Sequence, residues 1–447
     1  MLTYDALIIG FGKAGKTLAG RLADENWNVA MIEKDPNMYG GTCINIACIP
    51  TKVLVHDGLK GIPYTDAIER KDRVVEKLRE KNYKSLADNE NVTIYNSEAR
   101  FIANKEVEIQ IDGKKEVLTA EHIFINTGAI SNIPPLKGDL TSNKVYTSTS
   151  LMDRKKLPQH LAIIGGGYIG MEFASMYRTF GAEVTVITPE EELLPREDRE
   201  IAAEVQKIMT EKGVRFIFGA RAQEIKEVNE DEVSLSLSNG ETVNANAVLL
   251  ATGRKPNIEH LGLENTSIEL TEDGAIKVNE HLETTVRNVW ALGDVKGGMQ
   301  FTYISLDDYR IVENYLFGDL GYSLDSRKNI PYTMFIDPPL SRVGLTAKEA
   351  EEKGYEFAEG KMLVASHPRA HVINDLRGLF KVFIDKKTKK ILGASLFGPE
   401  SPELINLVKL AMDLDAPYTL LRDQIYNHPV MSESFNTLFN VPIKRTV

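Results

Sequence analysis

Two stretches of this chain repeat one arrangement. "YDALIIGFGKAGKTLAGRL", residues 4–22, and "QHLAIIGGGYIGMEFASMY", residues 159–177, each pass from a short apolar run through G-x-G-x-x-G into a helical pattern. A strand that ends in such a turn and opens a helix leaves backbone N–H groups at the helix start, and the glycines let a pyrophosphate approach them. Two dinucleotide-binding units are expected.

In the first unit, residues 6–9 read as a buried parallel strand, Gly10, Gly12 and Gly15 as the turn, and residues 16–24 as the helix. A second strand over 28–32 ends in Glu33, 18 residues after Gly15, where an acid accepts hydrogen bonds from both hydroxyls of an adenosine ribose. That suits a nucleotide without a 2′-phosphate, such as FAD or NAD. In the second unit the strand covers 162–164, the turn holds Gly165, Gly167 and Gly170, the helix covers 171–179, and the next strand, 183–187, ends in Thr188. Thr188 precedes Pro189 and three glutamates, so neither a ribose acid nor a pair of arginines chooses between NADH and NADPH.

Between the units, residues 56–90 are charged and helical in pattern, and strands over 92–95, 107–111 and 122–126 lead to "INTGA" at 125–129. "LLATGRKPN" at 249–257 holds the matching place in the second half, and "VWALGDV" at 289–295 is a further strand followed by Gly-Asp. After about residue 330 the pattern changes to separate strands, 380–384 and 391–397, and a helix over 402–414, which reads as an α+β module. At ~100 to 200 residues per domain, 447 residues predict about three domains.

Charge and hydropathy narrow the function classes. The net charge of −11 is spread along the chain, which argues against a nucleic-acid surface. No run approaches the ~18 apolar residues of a membrane span. The apolar start lacks a basic leader and flows into a glycine turn, so a cytoplasmic protein is expected.

The only two cysteines, Cys43 and Cys48, stand in "GGTCINIACIPTK", residues 40–52. Three readings are open. Half a zinc site would need further ligands, and no other Cys and no nearby His supplies them. Two inert buried thiols are a second reading. The third is a dithiol that cycles with its disulfide at the start of a helix near residue 49 or 50, whose dipole favours a thiolate. Near the C-terminal end, "YNHPVMSE" sets His428 five residues before Glu433. Such a pair is either structural or a proton shuttle whose imidazole a carboxylate orients.

Taken in order, "GFGKAG", "GGTCINIACIPTK", "GGGYIGME", "ATGRKPN", "ALGDV" and "NHPVMSE" resemble the pyridine nucleotide-disulfide oxidoreductases, the flavoprotein family of glutathione reductase, dihydrolipoamide dehydrogenase and mercuric reductase. One departure is Ala47, where the family commonly has Gly. The resemblance implies an α/β protein with two Rossmann-like three-layer dinucleotide-binding domains plus a C-terminal α+β dimerisation domain. Residues 1–145 and 256–328 would bind FAD, 146–255 NADH or NADPH, and 329–447 would form the dimer contact.

It also implies roles residue by residue. Gly10, Gly12, Gly15, Glu33, Lys34, Gly41, Thr42, Lys52, Ala99, Thr127, Gly128, Gly293 and Asp294 would hold FAD. Gly165, Gly167, Tyr168, Ile169, Gly170, Glu172, Thr188 and Gly253 would hold the nicotinamide nucleotide, with Lys52 paired to Glu172 beside the flavin. Cys48 would be the flavin-side thiol and Cys43 the thiol that meets substrate. His428 and Glu433 would act on it from the second subunit of a homodimer, so that the active site is shared between subunits. A cis His428-Pro429 bond is expected at this turn.

Within the family, mercuric reductase and large thioredoxin reductases pass electrons to a second, C-terminal thiol pair, which this sequence lacks. The wording of "IIGFGKAGKTLA", "MYGGTCINIACIPTKVLVHD" and "LLPREDREIA" is similar to the RclA-like branch, bacterial flavoproteins of the reactive-chlorine response. That resemblance implies NAD(P)H-dependent reduction of hypothiocyanous acid, a small-molecule oxidant, with Cu(II) as a further electron acceptor. Alternatives are a dihydrolipoamide dehydrogenase, a glutathione-type disulfide reductase and, outside the enzymes, a redox-sensing nucleotide-binding protein.

Overall fold

The structure, a computed structural model, describes residues 1–442, so the last five residues of the segment expected over 329–447 lie outside the described residues. The chain gathers into two compact units, each assembled from separated stretches. The first takes in residues 1–133, 147–155 and 252–327, the second residues 134–146, 156–251 and 328 onward.

The first unit is built on a seven-stranded sheet. β1 (Leu2–Ile9) pairs in parallel with β2 (Val29–Glu33) on one side and β6 (Lys114–Ile125) on the other, and β3 (Val92–Asn96) extends the parallel run beyond β2. Ala6, Leu7, Ile8 and Ile9 are buried without a polar face, as expected of a strand covered on both sides. β6 is longer than the sequence predicts. Its C-terminal half lies beside β1 and the strand Val289–Ala291, and its N-terminal half pairs antiparallel with β5 (Glu106–Ile111). β4 (Arg100–Ala103) closes that edge. α1 (Lys13–Asp24) covers one face, and the helix Thr302–Phe317 packs beside it. α2 (Gly41–Asn45), α3 (Cys48–Leu59) and the 24-residue α4 (Tyr64–Ala87) follow β2.

Both nucleotide-turn helices begin three residues earlier than the sequence pattern predicts, at Lys13 and Tyr168. Gly12 and Gly167 are their extended N-cap residues, so the third glycine of each motif falls inside the first turn. There it lets the helix rest on the strand. A Cβ at Gly170 would lie 2.0 Å from the Gly165 carbonyl oxygen, and one at Gly15 would lie 2.7 Å from that of Gly10.

In the second unit the parallel strands Val214–Ile217, Glu183–Ile187, His160–Ile164 and Ala247–Leu250 lie in that order, with the helix Tyr168–Thr179 following the central one. An antiparallel group adds Thr242–Ala245, Glu232–Leu237 and Ala222–Asn229. The last part is a five-stranded antiparallel sheet, ordered Tyr332–Met334, Leu340–Gly344, Ile391–Phe397, Leu379–Asp385 and Phe357–Leu363. The helix Ser401–Asp413 packs on it through Leu404, Ile405, Val408 and Ala411. This is the α+β module that the change of pattern near residue 330 predicts. The His428-Pro429 peptide is cis, as expected, and so is Asp337-Pro338.

Candidate active site

Side chains from three other elements hold the first glycine turn, and Ser305 accepts from the Ala14 N–H at 3.2 Å. Asn126, at the end of β6, accepts from the Gly15 N–H at 2.9 Å and donates to the Leu292 carbonyl at 2.7 Å. Gly10 takes a φ of +101°, which a side chain would strain, and its Cβ position is blocked at 2.4 Å by the Asn126 carbonyl. Glu33 accepts from the N–H groups of Phe11 at 3.0 Å and Asp35 at 3.1 Å, and its burial raises its pKa against those bonds. Each of its oxygens keeps a lone pair for a ribose hydroxyl.

These residues fit an FAD. α1 has no side-chain cap and no acid in its first turn, so its positive end is free to meet a pyrophosphate. A Cβ at Gly128, where φ is +74°, would meet no protein atom within 4 Å, which leaves the backbone open to a ligand. Asp294 follows Gly293 in the turn after the strand Val289–Ala291, and burial raises its pKa while Arg254 and Lys296 oppose the shift. The Gly293 N–H donates to the buried Asp308 at 2.7 Å. Thr127 donates to the Asn257 carbonyl at 2.7 Å, Ala99 is buried, and Lys34 is exposed with Glu98 at 3.7 Å. Gly41, with a φ of +75°, and Thr42 open α2.

The second glycine turn fits a second nucleotide more openly. A Cβ at Gly167 would meet nothing within 4 Å, and the helix at Tyr168, Ile169 and Gly170 again lacks a cap and a first-turn acid. Tyr168 donates to Glu197 at 2.6 Å. Thr188 is buried, and its hydroxyl accepts from the Glu190 N–H at 3.4 Å. Glu172 accepts from the Phe335 N–H at 2.8 Å. Gly253, with a φ of +96°, belongs to the first unit, as does Lys52 on α3.

Cys43 lies on α2 and Cys48 is the first residue of α3, at the positive end of that helix. Both are half-buried, and their sulfurs are in hydrogen-bonding contact. That contact, with burial, pushes the Cys43 thiol far above its ordinary pKa, while the Thr302 hydroxyl and the Lys16 ammonium oppose the shift. Thr302 Oγ1 is also 3.5 Å from Cys48 Sγ. The contact and the burial both favour the protonated form of Cys43.

His428 Nδ1 is 2.8 Å from Glu433, and the ring is largely exposed. With Nδ1–H donated to the carboxylate, Nε2 is left for proton transfer.

The sequence pattern missed two residues of the thiol site. Thr302 lies 254 positions from Cys48, at the start of a helix, and no local spacing connects them. Lys16 sits in plain view beside the third glycine, and a cation one turn into a nucleotide helix was the available signal.

Comparison with known proteins places this geometry. Residues 4–308 match the family described as Pyridine nucleotide-disulphide oxidoreductase, and residues 330–439 match its dimerisation domain. RclA of Escherichia coli K12, a probable pyridine nucleotide-disulfide oxidoreductase, is 49% identical over 441 residues, which cover 99% of this chain and all of that protein. Dihydrolipoyl dehydrogenase of Bacillus subtilis is 32% identical over 96% of both chains. A mercuric reductase of Lysinibacillus sphaericus is 32% identical over 96% of this chain and 81% of its own. Among solved structures, the Cu(II) complex of the HOCl-induced flavoprotein disulfide reductase RclA from Escherichia coli overlays with a TM-score of 0.96 at 49% identity, covering 98% of this chain and 99% of that one.

Proposed function

The chain belongs to the pyridine nucleotide-disulphide oxidoreductase family, flavoprotein oxidoreductases that depend on FAD and NAD(P)H, and from that premise we propose that it reduces hypothiocyanous acid or a related small oxidant at Cys43. The observation that carries the reading is the Cys43–Cys48 contact in a sequence with no third cysteine to pass electrons onward. An oxidant must then come to this pair. The full-length likeness to an HOCl-induced flavoprotein disulfide reductase supports the class of oxidant.

Residues 1–145 and 256–328 are read as the FAD-binding part, 146–255 as the NAD(P)H-binding part and 329–447 as the dimer contact. Bound FAD would supply the two-electron relay from nicotinamide to sulfur. The chain's own residues do the rest. The first glycine turn, Glu33 and Asp294 orient the cofactor, and the second glycine turn with Glu172 and Thr188 orients the nicotinamide nucleotide. Lys52 and Glu172 are read as the ion pair beside the flavin.

The Cys43 thiolate attacks the sulfur of HO–SCN, forming Cys43–S–SCN and releasing hydroxide, which takes a proton from the His428 imidazolium to become water. The Cys48 thiolate then attacks the Cys43 sulfur, forms the Cys43–Cys48 disulfide and expels thiocyanate. Two electrons pass from the dithiol to the oxidant, and the dithiol is restored at the expense of NAD(P)H. His428 and Glu433 are read as serving the cysteine pair of the second copy in a homodimer, which the dimerisation domain supports. A second acceptor, Cu(II), is favoured by the solved copper complex of the Escherichia coli relative. No helix among the described residues is long and apolar enough to cross a membrane. A cytoplasmic site of action suits a reductase fed by NAD(P)H.

The test is NAD(P)H oxidation by the purified holoenzyme with hypothiocyanous acid and oxidised glutathione, set beside NAD reduction with dihydrolipoamide. Hypothiocyanous acid should be turned over at least tenfold faster than the other two. Turnover of dihydrolipoamide without turnover of hypothiocyanous acid would overturn the proposal.

A further inference from the structure

Lys16 is a half-buried cation on α1, one turn past the start of the helix. Its ammonium donates to Asn82 Oδ1 on α4. Asn82 is itself oriented, because its Nδ2 donates to the Leu78 carbonyl at 2.6 Å. The Asn82 carboxamide rests against the chain at Gly40, where a Cβ would lie 3.2 Å from its Cγ and 2.9 Å from Ile44 Cγ1. Beside it, Gly41 runs so near α1 that a Cβ would lie 2.7 Å from the Gly12 Cα. α1 and α2 therefore meet backbone to backbone, and Cys43, two residues after Gly41, lies at that seam.

Among the described residues, the charges acting on the Lys16 ammonium are those of Lys13, which repels it, and Cys43, whose thiolate attracts it, with no carboxylate among them. Burial and Lys13 lower its pKa to about 8 against the pull of Cys43, which still leaves most of it protonated at neutral pH. A neutral amide holds this cation in place without neutralising it. Its charge and that of the Cys43 sulfur act on each other across the α1–α2 seam.

We propose that Lys16 is the electrostatic positioning residue of the substrate-facing sulfur, drawing small anions to Cys43 and stabilising the anions that leave it. The inference rests on the reading of Cys43 as the sulfur that meets substrate. Both sulfur transfers in that reading release an anion at Cys43, hydroxide first and thiocyanate second, within the field of this ammonium. A substrate that is itself anionic is favoured over a neutral one of the same size.

The experiment needs no knowledge of the natural oxidant. The holoenzyme, reduced with NADH under anaerobic conditions, is alkylated with iodoacetate, an anion, or iodoacetamide, its neutral counterpart, and the labelled cysteine is identified by peptide mass. The ratio of the two rates cancels changes in the amount of thiolate. Lys16→Gln should lower the iodoacetate-to-iodoacetamide ratio about tenfold, and Lys16→Arg should restore it to within about twofold. A purely structural role would change both rates together. Raising NaCl should lower the wild-type ratio and leave that of Lys16→Gln flat.

An unchanged ratio in Lys16→Gln would overturn the inference while leaving Cys43 as the substrate sulfur. Labelling of Cys48 in place of Cys43 would overturn the reading of Cys43 and the inference with it. Should Lys16→Gln fail to retain FAD, the wild-type salt series decides, and a salt-independent ratio overturns the inference.

Discussion

The His428 imidazole and the Glu433 carboxylate meet at 2.8 Å, and the histidine ring is largely exposed to solvent while its partner is only partly so. The carboxylate favours the Nδ1–H tautomer, which leaves the Nε2 lone pair free to accept a proton. Glu433→Gln should lower turnover of the oxidant about a hundredfold, within the range of a positioned acid–base group, while reduction of bound FAD by NADH stays within about twofold. Stopped-flow absorbance of the flavin separates the two half-reactions. Equal losses in both would remove His428 and Glu433 from the oxidant half.

Cys43→Ser should accept hydride onto FAD at a rate within about twofold of wild type and lose oxidant turnover by at least about a hundredfold. Cys48→Ser should lose it as well, because a sulfur-bound thiocyanate on Cys43 would have no resolving thiol. Mass spectrometry of Cys48→Ser after one exposure to hypothiocyanous acid should find the adduct on Cys43. Full turnover by Cys43→Ser would show that electrons leave by another route.

Gly167 and Gly170 share a motif and differ in what they meet. An added methyl at Gly167 reaches no protein atom within 4 Å, and the backbone there has an ordinary φ of −78°. Gly167→Ala should fold, keep FAD and raise the KM for the nicotinamide nucleotide about tenfold, because the methyl enters space reserved for pyrophosphate. Gly170→Ala should destabilise the second unit outright, since its methyl collides with the Gly165 carbonyl at 2.0 Å. Thermal midpoints and steady-state kinetics distinguish the two.

Asp337 is gripped by Arg377 through two bonds of 2.9 Å and by Lys212. Burial pushes its pKa up, but these cations together hold it below the ordinary carboxylate value. A folded-state pKa below the unfolded one stabilises the fold fully above the unfolded value near 3.8, and that stabilisation is lost as pH falls through the folded value. Asp337→Asn should therefore cost about 3 kcal/mol at pH 7, where half-buried Lys212 loses its anion and Arg377 keeps only Asp375. The difference between variant and wild type should shrink toward pH 3, which unfolding midpoints across that range would reveal.

The two nucleotide units were legible because their signals are local. An apolar run, three glycines and a helical pattern occupy fewer than 20 consecutive residues, and helix turns depend mainly on such neighbours. The meeting of Cys43 with Cys48 and of His428 with Glu433 was legible for the same reason, each pair being five residues apart. Helix starts were misjudged by three residues, because capping by Gly12 and Gly167 depends on backbone angles that the letters do not spell.

By itself, the sequence determined the class of the fold, which is written in short-range spacing, whereas the spacing of Cys43 and Cys48 left three readings open that only the family resemblance narrowed. Tertiary structure alone brought Thr302 to Cys48 across 254 residues and seated Lys16 against Asn82 across 66. It also revealed that Gly170 is a glycine to admit its own strand, whereas Gly167 is open to a ligand. The physical reason is that packing contacts join residues distant along the chain, and which atoms approach within hydrogen-bond reach is decided only when whole elements close on one another.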